Sequence, residues 1–150
     1  MTDTNQALQR LIDRAAIQDL LVRYAHCVDR RDLDGVAACF TADAAYSGSL
    51  GEGTIHNALI ALGDRMMRYE STMHLLGNQL IEIDGDRARS ETYAIAHHRM
   101  NTNGERRMLT VGVRYEDELI RRDQRWVICR RNVHMEWQRD DAIFLPEDGQ

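Results

Sequence analysis

The sequence is poor in the features that mark several protein classes. No apolar run approaches the ~18 residues that a membrane span requires. The opening "MTDTNQALQR" is polar and has no apolar segment of the kind a secretion signal carries. Both absences predict a cytoplasmic protein with no membrane partner. There are only three cysteines, Cys27, Cys39 and Cys129. Their odd number, wide spacing and apolar neighbours predict reduced core thiols and not a disulfide framework. No CxxC and no metal-type Cys/His spacing occurs, so no metal site is expected. GxGxxG, Walker, GxSxG and HExxH motifs are also missing. "GSLGEG" is glycine-rich but lacks a lysine and a strand–loop–helix setting for phosphates, so it reads as a turn. No cofactor is expected. The formal charge of −5 argues against nucleic acid as a partner. "RRDQRWVICRR" reads as the solvated face of a hairpin. The single proline, Pro146, lies near the end, and no Ser/Gly linker, repeat or low-complexity block divides the chain. One domain over 1–150 is expected, with its core at about 8–137 and a tail at 138–150.

What is present suits an ordinary globular domain. The 150 residues can bury a real core, and 43% hydrophobic with 29% charged residues is a common balance. Leu8, Leu11, Ile12, Ala15, Ala16, Leu20, Tyr24 and Val28 recur at three- and four-residue steps, which predicts an amphipathic helix ending near "DRRD". A short helix through Leu33, Val36, Ala37 and Phe40 follows. A short strand is expected at 44–47 and a third helix at 57–69. From Thr72 the period changes to two. Strands are predicted at about 73–83, 87–100, 107–121 and 125–137, joined by "DGD", "NTNGE" and "RRDQ" turns. Helices followed by a meander of long strands give an α+β fold. Strands this long predict a curved antiparallel sheet wrapped as a cone around the N-terminal helices, with an apolar interior able to form a pocket.

Several titratable residues fall where that interior should be. Leu21, Ala25 and Asp29 form one i, i+4 line, which carries Asp29 along the edge of the apolar face, with Tyr24 one turn earlier. A carboxylate at a helix C-terminus opposes the dipole. Asp29 is therefore either a surface charge or a cavity residue. His74 opens an apolar strand. It is either packing or one half of an Asp–His pair in which the carboxylate fixes the tautomer of a base. His97 and His98 are adjacent and point to opposite faces. His98 shares its face with Ala88, Ser90, Thr92, Ala94 and Ala96, whose small side chains leave room for a ligand. His97 goes with Tyr93 and Ile95 to the outside. His134 and Glu136 share a strand face and can pair. Arg131 shares its strand face with Val127, Cys129 and Val133, alternating with Trp126, Ile128, Arg130 and Asn132; it either anchors a substrate oxyanion, pairs with Asp29 or reaches solvent. Which of Arg130 and Arg131 faces the pocket stays open.

Three segments carry a family resemblance: "AIQDLLVRYAHCVDRRDLDGVAACFTADAAY", "HLLGNQLIEIDGDRARSETYAIAHHR" and "RYEDELIRRDQRWVICRRNVHMEW". Together they resemble the SnoaL-like branch of the nuclear transport factor 2-like superfamily. The resemblance implies a cystatin-like α+β barrel or cone with a deep apolar pocket. The pattern is similar to the group holding scytalone dehydratase, hexachlorocyclohexane dehydrochlorinase and bile acid 7α-dehydratase, lyases that use an Asp–His pair and no cofactor. It implies catalytic roles for Asp29, His74, Tyr24 and Arg131 and substrate-binding roles for Tyr46 and His98. The implied function is a lyase, dehydratase-like, or an isomerase. Proton abstraction would act on a small apolar or polycyclic oxygenated ring compound. The alternative is a non-catalytic binding or assembly module resembling a ring-hydroxylating dioxygenase β-subunit. Tyr93, Ile95 and Trp137 on the outer sheet face predict a homo-oligomer, and the lyases of the group favour a trimer over a dimer. The tail "AIFLP" is expected to dock on the pocket mouth or on a neighbour.

Overall fold

A computed structural model describes residues 3–143. The chain runs α1 (Asp3–Asp29), α2 (Leu33–Ala37), β1 (Phe40–Gly48), β2 (Gly51–Thr54), α3 (Ile55–Met66), β3 (Ser71–Asp84), β4 (Arg87–Thr102), β5 (Glu105–Arg122) and β6 (Arg125–Ala142). The fold is α+β. Its six strands form one curved, unclosed sheet in the order β2-β1-β6-β5-β4-β3. β3 to β6 are a continuous antiparallel meander, as their alternation predicts. β1 pairs with β6 in parallel, which no local pattern signals. "GSLGEG" is more than a turn, because Gly51–Thr54 pairs back on β1 as a short hairpin arm.

Three bulges bend the long strands and switch which residues face inward. On β3, Gly77 and Asn78 oppose Tyr93 alone, so His74 and Leu76 face in before the bulge and Gln79, Ile81 and Ile83 after it. On β6, Cys129 is an extra residue between the Leu119–Ile128 and Glu118–Arg130 pairs. Glu136 is a second, between the Val113–Met135 and Gly112–Trp137 pairs. Trp137 therefore turns outward, where its indole covers Gly112; any side chain at Gly112 would collide with that ring.

The concave face of the sheet packs on the helices. Ile17, Leu21 and Val28 of α1 meet Leu119, Trp126 and Ile128 in one core. Asp13 pins α1 to the β5–β6 hairpin. Its buried carboxylate accepts from both Nη atoms of Arg121 at 2.6 and 2.7 Å and from the Trp126 indole at 3.2 Å. The Arg121 bonds, with those of Trp126 and Gln9, hold the Asp13 carboxyl below its usual range against burial. No residue of α1 before Asp13 is buried; Leu8, Leu11 and Ile12 expose 55%, 65% and 53% of their surface. The predicted apolar stripe thus begins only at Asp13.

Other boundaries shift. Phe40 opens β1 and is not part of α2, and α3 spans Ile55–Met66, leaving Tyr69 in the connection to β3. β6 continues to Ala142, so residues 138–142 of the expected tail are strand, Leu109 facing Asp140. Phe144 to Gln150 lie outside the described residues, and with them most of "AIFLP". Cys39 is buried, whereas Cys27 and Cys129 are half-buried. Among the described residues no helix is long and apolar enough to cross a membrane.

Candidate active site

Asp29 is the last residue of α1, and the chain behind it is locked. Arg31 takes a left-handed φ of 60°, which ends the helix. Its guanidinium donates to the carbonyls of Tyr69 at 2.6 Å and Glu70 at 3.2 Å, tying the helix end to the entry of β3. The Asp29 carboxylate then meets the edge of β3. Oδ2 accepts from the His74 backbone N–H at 2.9 Å. Oδ1 accepts from the Thr72 hydroxyl at 2.9 Å and lies 2.6 Å from His74 Nδ1. Burial raises the Asp29 pKa, but the His74 ring and backbone bonds and the Thr72 hydroxyl outweigh it and hold the carboxyl below its usual range. These donors offset the unfavourable helix C-terminus.

The geometry fixes the tautomer. An ionised carboxylate only accepts hydrogen bonds, so Nδ1 must carry the proton. Nε2 then holds the lone pair, and no described residue bonds to it. The His74 side chain is 8% exposed and lines a cavity of about 120 Å³. Tyr24, Tyr46, Tyr69, His98 and Tyr115 share its wall with Val28, Met66, Val111 and Val133. A larger open concavity of about 670 Å³ lies on the opposite, outer face around Leu75, Tyr93, Ile95 and Trp137, away from these groups.

His98 stands edge-on to His74, with ring centroids 5.9 Å apart. Its Nδ1 lies 3.3 Å from the Leu109 carbonyl, so Nδ1–H donates there and Nε2 is again an acceptor. Burial, with the nearby His74, pushes the His98 pKa down to about 4. The ring is therefore neutral near pH 7. Burial pushes the Tyr46 phenol up to about 12. Tyr24 is raised as well by burial, against the pull of Arg131. Both phenols keep their protons and can donate.

Arg131 departs from expectation. It neither meets Asp29 nor reaches solvent. The Cys129 bulge turns it inward in step with Trp126 and Ile128, and Arg130 outward. Its Nε and Nη2 each donate to Asp117 at 2.7 Å, and the two side chains are 1% and 0% exposed. The guanidinium lies 4.1 Å from the Tyr24 ring centroid and 4.5 Å from that of Tyr115. It supports the cavity floor from behind and does not line the cavity. His134 also differs, pairing with Glu116 at 3.0 Å while Glu136 pairs with Arg114. His97 faces outward onto Thr110.

The site also uses residues that the sequence reading passes over. Thr72 has no strong signal. Asp117 has one, because it falls in phase with Val111, Val113, Tyr115 and Leu119, and an acid on an inward face must find a partner. Arg65 and Tyr69 follow from the position of α3, which no spacing reveals. Among the described residues no cluster of three or more His, Cys, Asp or Glu side chains is placed to hold a metal ion.

Comparison with known proteins gives the family and the fold. The uncharacterised protein Rv2910c of Mycobacterium tuberculosis is 32% identical over 129 residues, 83% of this chain and 86% of that one. Hexachlorocyclohexane dehydrochlorinase LinA-type3 from Novosphingobium barchaimii superposes with a TM-score of 0.80 at 24% identity, covering 93% of this chain and 99% of that one. A candidate scytalone dehydratase from Novosphingobium aromaticivorans gives a TM-score of 0.77 at 22% identity over 100% and 99%. Those two likenesses are of fold. Residues 9–132 match the SnoaL-like domain, and the chain belongs to that family.

Proposed function

We propose that this chain is a cofactor-independent lyase in which His74 removes a proton from carbon. The carrying observation is the 2.6 Å contact between His74 Nδ1 and Asp29, which leaves Nε2 free on the cavity wall. Nε2 takes a proton from a carbon next to a carbonyl or aromatic group. The C–H electron pair forms the new C=C bond as the leaving group departs from the neighbouring carbon. A hydroxide leaves as water, accepting its proton from the His74 imidazolium or from Tyr24. Asp29 stabilises the imidazolium meanwhile. Tyr46 and Tyr24 donate to any oxyanion that develops. Arg131 acts through Tyr24, its charge favouring negative character at that phenol. His98, neutral, accepts from a substrate hydroxyl. The substrate is a small, largely apolar ring compound bearing oxygens or a halide. The dehydrochlorinase and dehydratase among the structural neighbours carry out eliminations of this class by name. An isomerase uses the same base and returns the proton to another carbon.

A second reading is a binding or assembly module. The small cavity favours it, since ligand pockets usually reach ~300 Å³ or more. The outer face bears on both readings. Met73, Leu75, Tyr93, Ile95 and Trp137 each expose 41–54% of their surface there. We propose that copies of the chain cover this face head to tail, the Trp137 ridge of one seating in the concavity of the next so that the contacts close as a ring. A trimer is the expected state. Light scattering after size exclusion tests it, with Trp137→Glu expected to give monomers and an unchanged mass contradicting it.

The test of the chemistry is a screen of hydroxylated and halogenated ring compounds for new conjugated absorbance. Substrates found should lose turnover with His74→Ala and with Asp29→Asn. Turnover left intact in both variants would make the mechanism wrong.

A further inference from the structure

Among the described side chains lining the cavity, Arg65 on α3 is the one that carries a fixed charge. It is half-buried and tied to Ser49, which with Gln138 is exposed and marks the open end of the cavity. Nη1 donates to the Ser49 hydroxyl at 3.0 Å and Nη2 to the Ser49 carbonyl at 2.5 Å. Both acceptors are neutral, and Arg65 forms no ion pair among the described residues. A guanidinium has five N–H donors, so three remain beyond these two bonds.

The rest of the lining leaves that charge unopposed. Among the described residues no carboxylate lines the cavity. Asp29 stands behind His74 and is saturated by its three donors. Tyr24 and Tyr46 keep their protons, and His98 is neutral. The Arg65 charge is felt inside, where it disfavours protonation of His98 and acidifies Tyr46. The cavity volume adds a second argument. At about 120 Å³ it is somewhat smaller than the apolar cavity of about 150 Å³ that holds benzene, so no more than one six-membered ring fits inside. Any further substituent must project toward the end where Arg65 lies.

We infer that the substrate carries a carboxylate, or a similar anionic group, held by the Arg65 fork at the cavity rim while its ring carbon faces His74 Nε2. This deepens the lyase reading and rests on it for the chemistry. Anion capture itself does not need His74.

The test compares benzoate with benzamide, one ring with and without the charge, titrated into the full chain and followed by NMR at the His74 and His98 rings. The unsubstituted chain should bind benzoate at least about tenfold more tightly, the scale of one charge-assisted pair. Arg65→Gln should bring the two probes to within about twofold. Arg65→Lys should keep most of the preference, because it keeps the charge. Ser49→Ala loosens the tether without touching the charge and should also keep it. Equal binding of the two probes, no benzoate binding at millimolar concentration, or loss of preference in Ser49→Ala would overturn the inference. His74→Gln separates the two ideas: it should abolish turnover and preserve the benzoate preference. If turnover depends on His74 but no anion preference exists, the inference alone falls. If the preference exists and turnover survives His74→Gln, the lyase reading falls.

Discussion

Asp29 and Asp117 both sit against the inner face of one sheet, and each holds a basic partner at 2.6–2.7 Å. They differ in what they leave over. Asp117 spends both oxygens on Arg131, whose charge is permanent and whose side chain is 1% exposed. That pair is a closed fork in which both carboxylate oxygens are taken by one guanidinium. Asp29 spends Oδ2 on a backbone N–H and shares Oδ1 between Thr72 and one nitrogen of a titratable ring. The second ring nitrogen faces a cavity. An acid beside a base is a brace when the base is a buried, permanently charged guanidinium held by both carboxylate oxygens. It becomes chemistry when the base is an imidazole with a lone pair pointed at empty space.

The comparison breaks most directly at the dyad. His74→Ala should lower kcat on an identified substrate by about 10²–10⁴-fold, the range of a positioned general base. Circular dichroism and the urea midpoint should barely move. Asp117→Asn should do the reverse. It strands a buried guanidinium and should reduce unfolding free energy by about 3–5 kcal/mol in urea titration. Replacing the pair together, Asp117→Leu with Arg131→Met, should cost less than the sum of the single changes. If Asp117→Asn left stability intact, the brace reading would fail.

Acid sharpens the contrast between the two histidines on the cavity wall. His98 has a folded pKa of about 4 against its ordinary 6.5. Between those values the unfolded chain binds a proton that the folded chain rejects. Stability is therefore full above pH 6.5 and falls as pH drops toward 4. Partial solvent contact limits the loss to about 1–3 kcal/mol. Urea midpoints at pH 7 and pH 4.5 should show it, and His98→Gln should flatten the slope; an equal slope in the variant would assign the effect elsewhere. The smallest expected effect is at Thr72. Thr72→Val removes one of three donors to Asp29 and should lower kcat about fivefold, near 1 kcal/mol of barrier, without moving KM.

Much of this contrast was legible before the structure, and the reasons are local. Leu21, Ala25 and Asp29 lie one helical turn apart, so burial of the first two carries the third inward. The small residues from Ala88 to Ala96 share an inward face with His98, and the end of that face, Ala96 and His98, lines the cavity. Which of Arg130 and Arg131 faces in is not legible, because alternation fails at a bulge. Cys129 adds one residue, and Arg131 changes sides relative to Val127. A bulge is set by pairing with Glu118 and Leu119, which the sequence of β6 alone does not contain. The parallel β1–β6 pairing is hidden for the same reason. Leu8, Leu11 and Ile12 have helical spacing, but spacing does not say where the sheet ends.

The central claim is a tautomer, and ring ¹⁵N NMR of His74 at pH 7 reads it directly. The Asp29 contact predicts a proton on Nδ1, with Nε2 showing the shift of a bare, lone-pair-bearing nitrogen. Asp29→Asn should release that preference. A ring protonated at Nε2, or on both nitrogens, would leave no base on the cavity wall and would contradict the account.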